Sequence, residues 1–310
     1  MNHYVPEGNL ISTFENHEFI SSYKGLEKAL EKQIILEAPA VLCDHNFNLH
    51  VALPSGIRGI IPREEALYSP REEVKDIAIL TRVGKPVCFM VTGFEKNSAG
   101  DTVAILSRKR AQRECHLNYI EALATGDIIP AKITHLENFG AFVDIGCGII
   151  SLLSIDSISV SRIAHPSERL SVGDFLYTVV KSVDDFGRIY VSVRELLGSW
   201  EENAALFNEG QTVRGIVRSV ESYGVFIELK PNLAGLAEYK SDVYPGQTAA
   251  VYIKSIIPEK MKIKLIIIDS HDAPIYNEPL EYFVDTDTVT HIDSWVYSPI
   301  GCKKVVQSIF

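Results

Sequence analysis

Two short runs carry aromatic residues in a spacing that could do chemistry: Phe139-Gly140-Ala141-Phe142 and Tyr223-Gly224-Val225-Phe226. Single-stranded RNA exposes the flat faces of its bases. A ring on an open protein surface can stack such a face, each stack being worth roughly 1–3 kcal/mol. In a strand, neighbouring side chains alternate between faces, so residues three apart should point opposite ways. A bulge at the intervening glycine would bring both rings to one surface. Phe139 and Tyr223 are expected to be exposed. For Phe142 and Phe226 the competing expectation is burial in a core, since phenylalanine is among the more buried residue types.

The elements that must position these rings come from an internal repeat. Residues 126–148 (GDIIPAKITHLENFGAFVDIGCG) and 210–235 (GQTVRGIVRSVESYGVFIELKPNLAG) follow one pattern. So do 173–193 and 246–267, each with a glycine entry, a strand ending in Lys-Ser, a turn and another strand. A fainter copy lies at 33–60 and 84–107. The apolar residues alternate with period two and are β-branched or aromatic, the signature of half-buried strands. In the middle unit strands are expected at Ile128–Ile133, Ala141–Ile145, Gly148–Leu153, Phe175–Val180 and Ile189–Val193. Five short antiparallel strands in so few residues need closure to protect their edges, which predicts a small barrel.

The segments between the units read as helix. Apolar residues within Arg108–Leu123 have helical spacing, Ser199 with Glu202 is a capping-box pattern, and Ser21–Gln33 is a third helical stretch. The tail mixes Pro274, Pro279 and Pro299 with strand-like runs at Tyr282–Val284 and Val305–Phe310, as either a packed extension or a loose arm. The expected division is an N-terminal helical segment 1–32, units at 33–110, 126–197 and 210–268, linkers 111–125 and 198–209, and an acidic extension 269–310.

Composition sets outer limits. The chain has 310 residues, 46% hydrophobic and 23% charged, which excludes a wholly disordered chain, a collagen and a coiled-coil rod. Its net charge of −10 argues against a nonspecific DNA coater. The acidity is uneven: 210–268 is mildly basic and could meet phosphates, whereas the tail is acidic. The five cysteines lie far apart with no CxxC pair, so reduced, mostly buried thiols are expected and a zinc knuckle is not. No nucleophile elbow, phosphate loop or metal-binding helix motif occurs, so no catalytic residues, metal or cofactor are expected. No run approaches the ~18 apolar residues of a membrane span and the N-terminus lacks a signal-peptide pattern, so the expectation is a cytoplasmic protein without membrane contact.

The Asn-Phe-Gly-Ala-Phe-Val-Asp-Ile run, followed by Val-Lys-Ser-Val-Asp and Gly-Arg-Ile-Tyr-Val-Ser, resembles the RNA-binding domain named after the largest bacterial small-subunit ribosomal protein, here the S-one domain. The resemblance is strong over 126–197, good over 210–268 and weak over 33–110. It implies a mainly β chain of three tandem five-stranded OB-fold barrels joined by short helices, like the short homologues from Gram-positive bacteria. It implies base stacking by Phe139, Phe142, Tyr223 and Phe226, and phosphate contacts by Arg188 and Lys262, with Lys181 and Lys254 on the preceding strand contributing. Asp184 is implied as an acceptor for a base edge or a brace for Arg188. The family often has a histidine ending the third strand; Ser151 and Glu238 are assigned to that place, the one able to hydrogen-bond RNA, the other repelling phosphate. In the first unit only Phe47 could stack, and a ribosome-docking role is implied instead. Arg108, Lys109, Arg110 and Arg113 would bind RNA or form a solvated helix start, and His165 could line the RNA face.

Two classes of function follow. One is a single-stranded RNA (mRNA) binder acting in translation, with the small ribosomal subunit as a further partner. The other is a ribosome- or protein-docking module with weakened RNA affinity.

Overall fold

The structure, a computed structural model, describes residues 4–69, 75–272 and 279–310. Pro274, the start of the N-terminal segment and the parts of the first unit and tail at 70–74 and 273–278 lie outside the described residues.

Among the described residues the alternating segments become strands that close into three barrels. Helices α1 (Phe14–Ile20) and α2 (Tyr23–Lys32) come first. The first barrel contains β1 (Leu36–Cys43), β2 (Leu49–Ala52), β3 (Arg58–Ile61), β4 (Pro86–Lys96) and β5 (Thr102–Ser107), with the short α3 (Asp76–Leu80) between β3 and β4. Helix α4 (Arg108–Asn118) follows. The second barrel contains β6 (Ile128–Glu137), β7 (Gly140–Asp144), β8 (Ile150–Ser154), β9 (Phe175–Val183) and β10 (Ile189–Ser192). Helix α5 (Trp200–Ala204) starts at Ser199, whose hydroxyl and Glu202 form the capping box expected from the sequence. The third barrel contains β11 (Thr212–Glu221), β12 (Gly224–Lys230), β13 (Leu233–Ala237), β14 (Thr248–Ile257) and β15 (Lys262–His271). Each barrel has one topology. The first three strands pair in order, the fourth pairs antiparallel with the fifth and lies beside the first, and the third closes against the fifth in parallel. Closure leaves no long unpaired edge, which explains how strands of four to eleven residues persist.

The chain divides into two compact units. One holds the chain up to Leu123 with Pro130–Lys132 and Asp144–Ile150; the other holds Ala124–Ile129, Ile133–Val143 and Ser151–Phe310. In the first unit, the inward residues of the barrel pack with Phe19, Leu26 and Ala29 of the N-terminal helices. Beside this core lies a buried charge cluster. Arg108 is neither solvated nor presented to a ligand, contrary to both sequence expectations: its Nε and Nη2 donate to the two oxygens of Glu7 at 2.7 and 3.0 Å. The basic run 108–113 thus splits: helix α4 turns Arg108 inward, while Lys109, Arg110 and Arg113 stay exposed. Removing one partner of such a pair typically costs about 3–5 kcal/mol, because the other charge is left buried. Cys88, Cys115 and Cys147 are buried free thiols in this unit, while Cys43 and Cys302 are partly exposed.

In the second unit the tail packs rather than dangling. Trp295 and Tyr297 join Trp200 in the core of the third barrel, and the Trp200 N–H donates to the Tyr297 carbonyl at 2.9 Å. The expected strand at Tyr282–Val284 is absent. That segment is irregular, anchored by the Tyr177 N–H donating to the Tyr282 hydroxyl and the Phe283 N–H donating to Leu196. The tail strands are β16 (Ser294–Val296) and β17 (Gln307–Ile309), paired antiparallel, so only the second expected run formed a strand. Tyr282 and Val284 are half-buried and Phe283 is exposed, and the backbone found its partners outside a ladder. No helix among the described residues is long and apolar enough to cross a membrane.

The buried acids of the first unit make its stability depend on pH. Burial pushes Glu37 up to about 7, despite N–H donors from Gly8, Leu10 and Ile11. Burial, then the nearby Glu7 charge, pushes Asp144 up to about 7. The folded unit therefore holds extra protons between the ordinary values, 4.5 and 3.8, and about 7, so stability falls as pH rises through this window. Glu7 runs the other way: burial raises it, but Arg108, Arg82 and the Cys88 N–H together hold it below 4.5, so its contribution is lost only at more acid pH. Thermal unfolding should show the first unit's midpoint dropping from about pH 5 to about pH 7. The drop should shrink in Glu37→Gln, and a midpoint that rises over this interval would contradict the assignment.

Candidate nucleic-acid interface

The rings are placed by a tight hairpin, not by a bulge. In the third barrel Glu221 pairs with Gly224 across a two-residue turn, Ser222-Tyr223, and the pairing runs unbroken to Ser219 opposite Phe226. The second barrel has the same two-residue turn, Asn138-Phe139. The first ring of each pair therefore sits in the turn, where strand alternation does not apply. The second ring follows alternation: Val225 and Ile227 are fully buried, so Phe226 between them faces outward, half-buried. Ala141 and Val143 flank Phe142 in the same way. Neither Phe142 nor Phe226 fills a core.

The result is one constellation built twice. Phe139 and Phe142 meet edge to face, with centroids 6.0 Å apart and planes at 88°. Tyr223 and Phe226 do so at 6.1 Å and 87°. Phe139 is 54% exposed and Tyr223 68%, so each pair offers an open ring braced by a half-buried one. The glycine after each turn ring is fixed by contact with the third strand. At Gly140 (φ +156°) a Cβ would lie 2.3 Å from the Leu153 carbonyl oxygen. At Gly224 (φ +155°) it would lie 2.6 Å from the Ala237 carbonyl oxygen.

Cations occupy matching positions in the two barrels. Arg188 and Lys262 are exposed at the entrance to the last strand of their barrels. Register makes them equivalent: Val183 pairs with Ile189 and Ile256 with Ile263, placing each cation just before the equivalent residue. Lys181 and Lys254 both occupy a register shift, lying between Val180 and Ser182 and between Ile253 and Ser255. A bulge at this place re-aims one side chain. Lys254 is exposed, whereas the Lys181 ammonium donates to Ser157 Oγ at 2.8 Å. Asp184 braces its turn: its Oδ1 accepts the N–H groups of Phe186 and Arg188, each at 2.9 Å. These bonds, that from Arg188 foremost, hold its carboxyl below the usual aspartate value.

Other expectations fail for local reasons. Ser151 is 3% exposed and its hydroxyl donates to the Ile189 carbonyl at 2.6 Å, so it faces inward and cannot meet a ligand. Leu153 follows Gly140 by thirteen positions and Ala237 follows Gly224 by thirteen, so the partner of Glu238 is Ser154. Counting from the hairpin glycine would have found it. Ser154 donates to Ser157 Oγ at 2.9 Å, beside Lys181. His165 is occupied in capping a short turn of helix, its Nδ1 accepting the Ser167 N–H. Phe47, in a turn at φ +62°, packs against the first barrel's core.

Three further residues belong to the faces. His135 is exposed and lies nearly parallel to Phe142, planes at 19° and centroids 6.4 Å apart. Phe186 is 64% exposed with the Arg188 guanidinium 5.8 Å from its ring centre. Lys264 is exposed and pairs in register with Leu236, in the row that contains Phe226. Alternation from Lys262 would have marked Lys264; no single-residue signal marks His135 or Phe186.

Comparison with known proteins bears on this geometry. Residues 122–194, the second barrel, match the S1 RNA binding domain. A "Small ribosomal subunit protein bS1" of Staphylococcus saprophyticus is 33% identical over 180 residues, covering 53% of this chain and 46% of that protein. A protein of the same name from Staphylococcus aureus is 27% identical over 263 residues, covering 79% of this chain and 64% of that protein. The second barrel is thus an S1-type domain. The chain spans about half to two thirds of the length of these two relatives. Among solved structures, a multidomain protein with nucleic acid binding domains from Streptococcus pneumoniae matches with a TM-score of 0.25 at 15% identity, covering 76% of this chain and 73% of that one.

Within the S1 pattern, the hairpin glycine is the piece on which ring placement depends. Gly140→Ala must push its methyl into the Leu153 carbonyl, and overpacking of this kind costs about 1–3 kcal/mol. Urea unfolding should register that loss, and Gly224→Ala should behave alike in the third barrel. A neutral effect at both sites would mean that the hairpin relaxes freely.

Proposed function

We propose that the chain binds single-stranded RNA on the outer faces of its second and third barrels, and that it acts on mRNA in translation. The observation that carries this reading is the recurrence. An edge-to-face ring pair, an exposed cation at the entrance of the last strand and a lysine at a bulge occur together in both barrels. A ring kept open by a half-buried neighbour is suited to stacking a base without first rearranging. The site residues on this reading are Phe139, Phe142, Lys181, Arg188, Tyr223, Phe226, Lys254 and Lys262, with Asp184 as a brace. Binding is the whole mechanism. Each face is small, and two faces on one chain benefit from effective concentration once the first has engaged. The names of the Staphylococcus relatives support the small ribosomal subunit as a further partner.

Fluorescence anisotropy of a labelled single-stranded RNA at several salt concentrations tests this. Phe139→Ala/Arg188→Ala and Tyr223→Ala/Lys262→Ala should each weaken binding about tenfold or more. Each lost cation should reduce the slope of log affinity against log salt by about 0.7. Absence of binding at low salt, or binding indifferent to both variants, would overturn the assignment of these faces.

A further inference from the structure

The fourth strand of each barrel carries a bulge, at Thr92, Lys181 and Lys254. Two residues before it stand Met90, Val179 and Tyr252, and register pairs these with Ser107, Ser192 and Ile266 of the fifth strand. The three places are equivalent, yet their surroundings differ. Ser107 caps helix α4, its hydroxyl accepting the Arg110 N–H at 2.9 Å, and α4 packs against β4. Met90 is buried. Ser192 ends β10, its hydroxyl donating to Glu195 in the turn of helix at Arg194–Leu197. Leu196 of that turn and Val179 pack in one apolar cluster with Tyr282 and Val284 of the tail, and Val179 is fully buried.

In the third barrel an isoleucine stands where the other two have serine. A serine hydroxyl can cap a helix, whereas isoleucine cannot and favours a strand. Strand β15 accordingly runs on through Ile266 to His271, still paired with β14. The chain does not fold back, and the place stays open: Tyr252 is 37% exposed, Ile266 44% and Ile268 58%.

The border of this place indicates what covers it. Its outward neighbours on the side of the ring pair are Lys254 and Lys264, both exposed. Where α4 packs on the first barrel, register puts Thr92 and Ile105 in those two positions, and neither carries a charge. Ammonium groups are strongly hydrated, so a helix seated on the third barrel would strip water from two of them. A phosphate chain would instead be attracted by both. The place is also continuous with the stacking face. Lys264 belongs to the outward row Phe226, Leu236, Lys264. Tyr252 lies one strand further and one outward residue along, roughly 16 Å from Phe226 at ~4.8 Å between strands and ~3.4 Å per residue. Beyond it Arg214 and Asp269 flank Ala250 and offset one another.

We infer that single-stranded RNA on the third barrel continues past Lys264 to Tyr252, whose ring stacks a further base beside Ile266. The inference rests on the RNA reading of the third-barrel face and extends it. The second barrel has no counterpart, because its own chain fills the equivalent place. OB-fold barrels occupy roughly 4–16 nucleotides. The two barrels of this chain therefore differ in reach, and the third takes the longer segment.

The test uses the full chain carrying Phe139→Ala/Arg188→Ala, which silences the second face, and labelled oligouridylates of about four and about ten nucleotides. Anisotropy should show the short RNA binding this parent and its Tyr252→Ala derivative alike. The long RNA should bind the parent more tightly, and Tyr252→Ala should weaken that binding about tenfold, the loss of one stack. Tyr252→Phe should keep it. Ile266→Glu, on an exposed side chain, should weaken binding of the long RNA alone. An equal gain on lengthening in the parent and in Tyr252→Ala overturns the extended path and leaves the role of the ring pair intact. Failure of both RNAs to bind at low salt overturns the reading of the third-barrel face itself, and the extension with it.

Discussion

Everything proposed for the two RNA faces depends on one close approach: the backbone of the hairpin glycine against a carbonyl of the third strand. No Cβ fits at Gly140 or Gly224. The third strand can therefore press against the β-hairpin just where the turn ends, and the turn residue before the glycine is pushed out over the sheet. Side-chain identity is then secondary to backbone position: the turn carries phenylalanine in one barrel and tyrosine in the other, and both rings end at the same distance and angle from their neighbour. The constraint is steric rather than attractive. It admits little adjustment, which is how the two faces keep one geometry although most of their other residues differ.

Much of the architecture was legible because closed barrels leave a strong period-two signal. Strands such as Ile128–Glu137 and Gly224–Lys230 alternate between a packed interior and an outer face, and the helix at Ser199 announced itself through its cap. What the sequence hid was register. Ser151 was assigned the place that Ser154 holds, an error of three residues that turned an inward hydroxyl outward. Strand periodicity alone cannot detect such a slip when both frames look apolar. The bulges at Lys181 and Lys254 were also invisible, because an extra residue in one strand shows only against its partner. At Tyr282–Val284 apolar content was real, but it belonged to an irregular segment packed on the barrel.

Net charge was a poor guide for a related reason. The total of −10 and the mildly basic count of the third unit say nothing about which charges meet solvent. Arg108, Arg169 and Arg218 are withdrawn into buried pairs with Glu7 and Glu228. Lys254, Lys262 and Lys264 are exposed on adjacent strands of the third barrel. A modestly charged chain can thus present a concentrated cationic edge, provided the fold consumes its other arginines internally. The sorting is physical: guanidinium groups tolerate burial when a carboxylate matches their fork, whereas ammonium groups are more strongly hydrated and stay in water.

The departures from the family pattern then take on a consistent direction. With Ser154 and Glu238 in the place where the family often carries histidine, neither face has a third aromatic ring on that strand, and Glu238 adds a charge that repels phosphate. His135 compensates in the second barrel alone, lying against Phe142 from the first strand of the sheet. The third barrel has Ser219 at the corresponding place opposite Phe226, and offers Lys264 where the second barrel has Tyr190. One face is therefore richer in rings and the other in cations. Stacking is nearly indifferent to salt, whereas phosphate contact is not. On the proposed reading, a chain that joins the two would retain a foothold on RNA at high ionic strength through the second barrel and gain reach at low ionic strength through the third. This division of labour follows from two short strands whose outward residues diverged while their glycines did not.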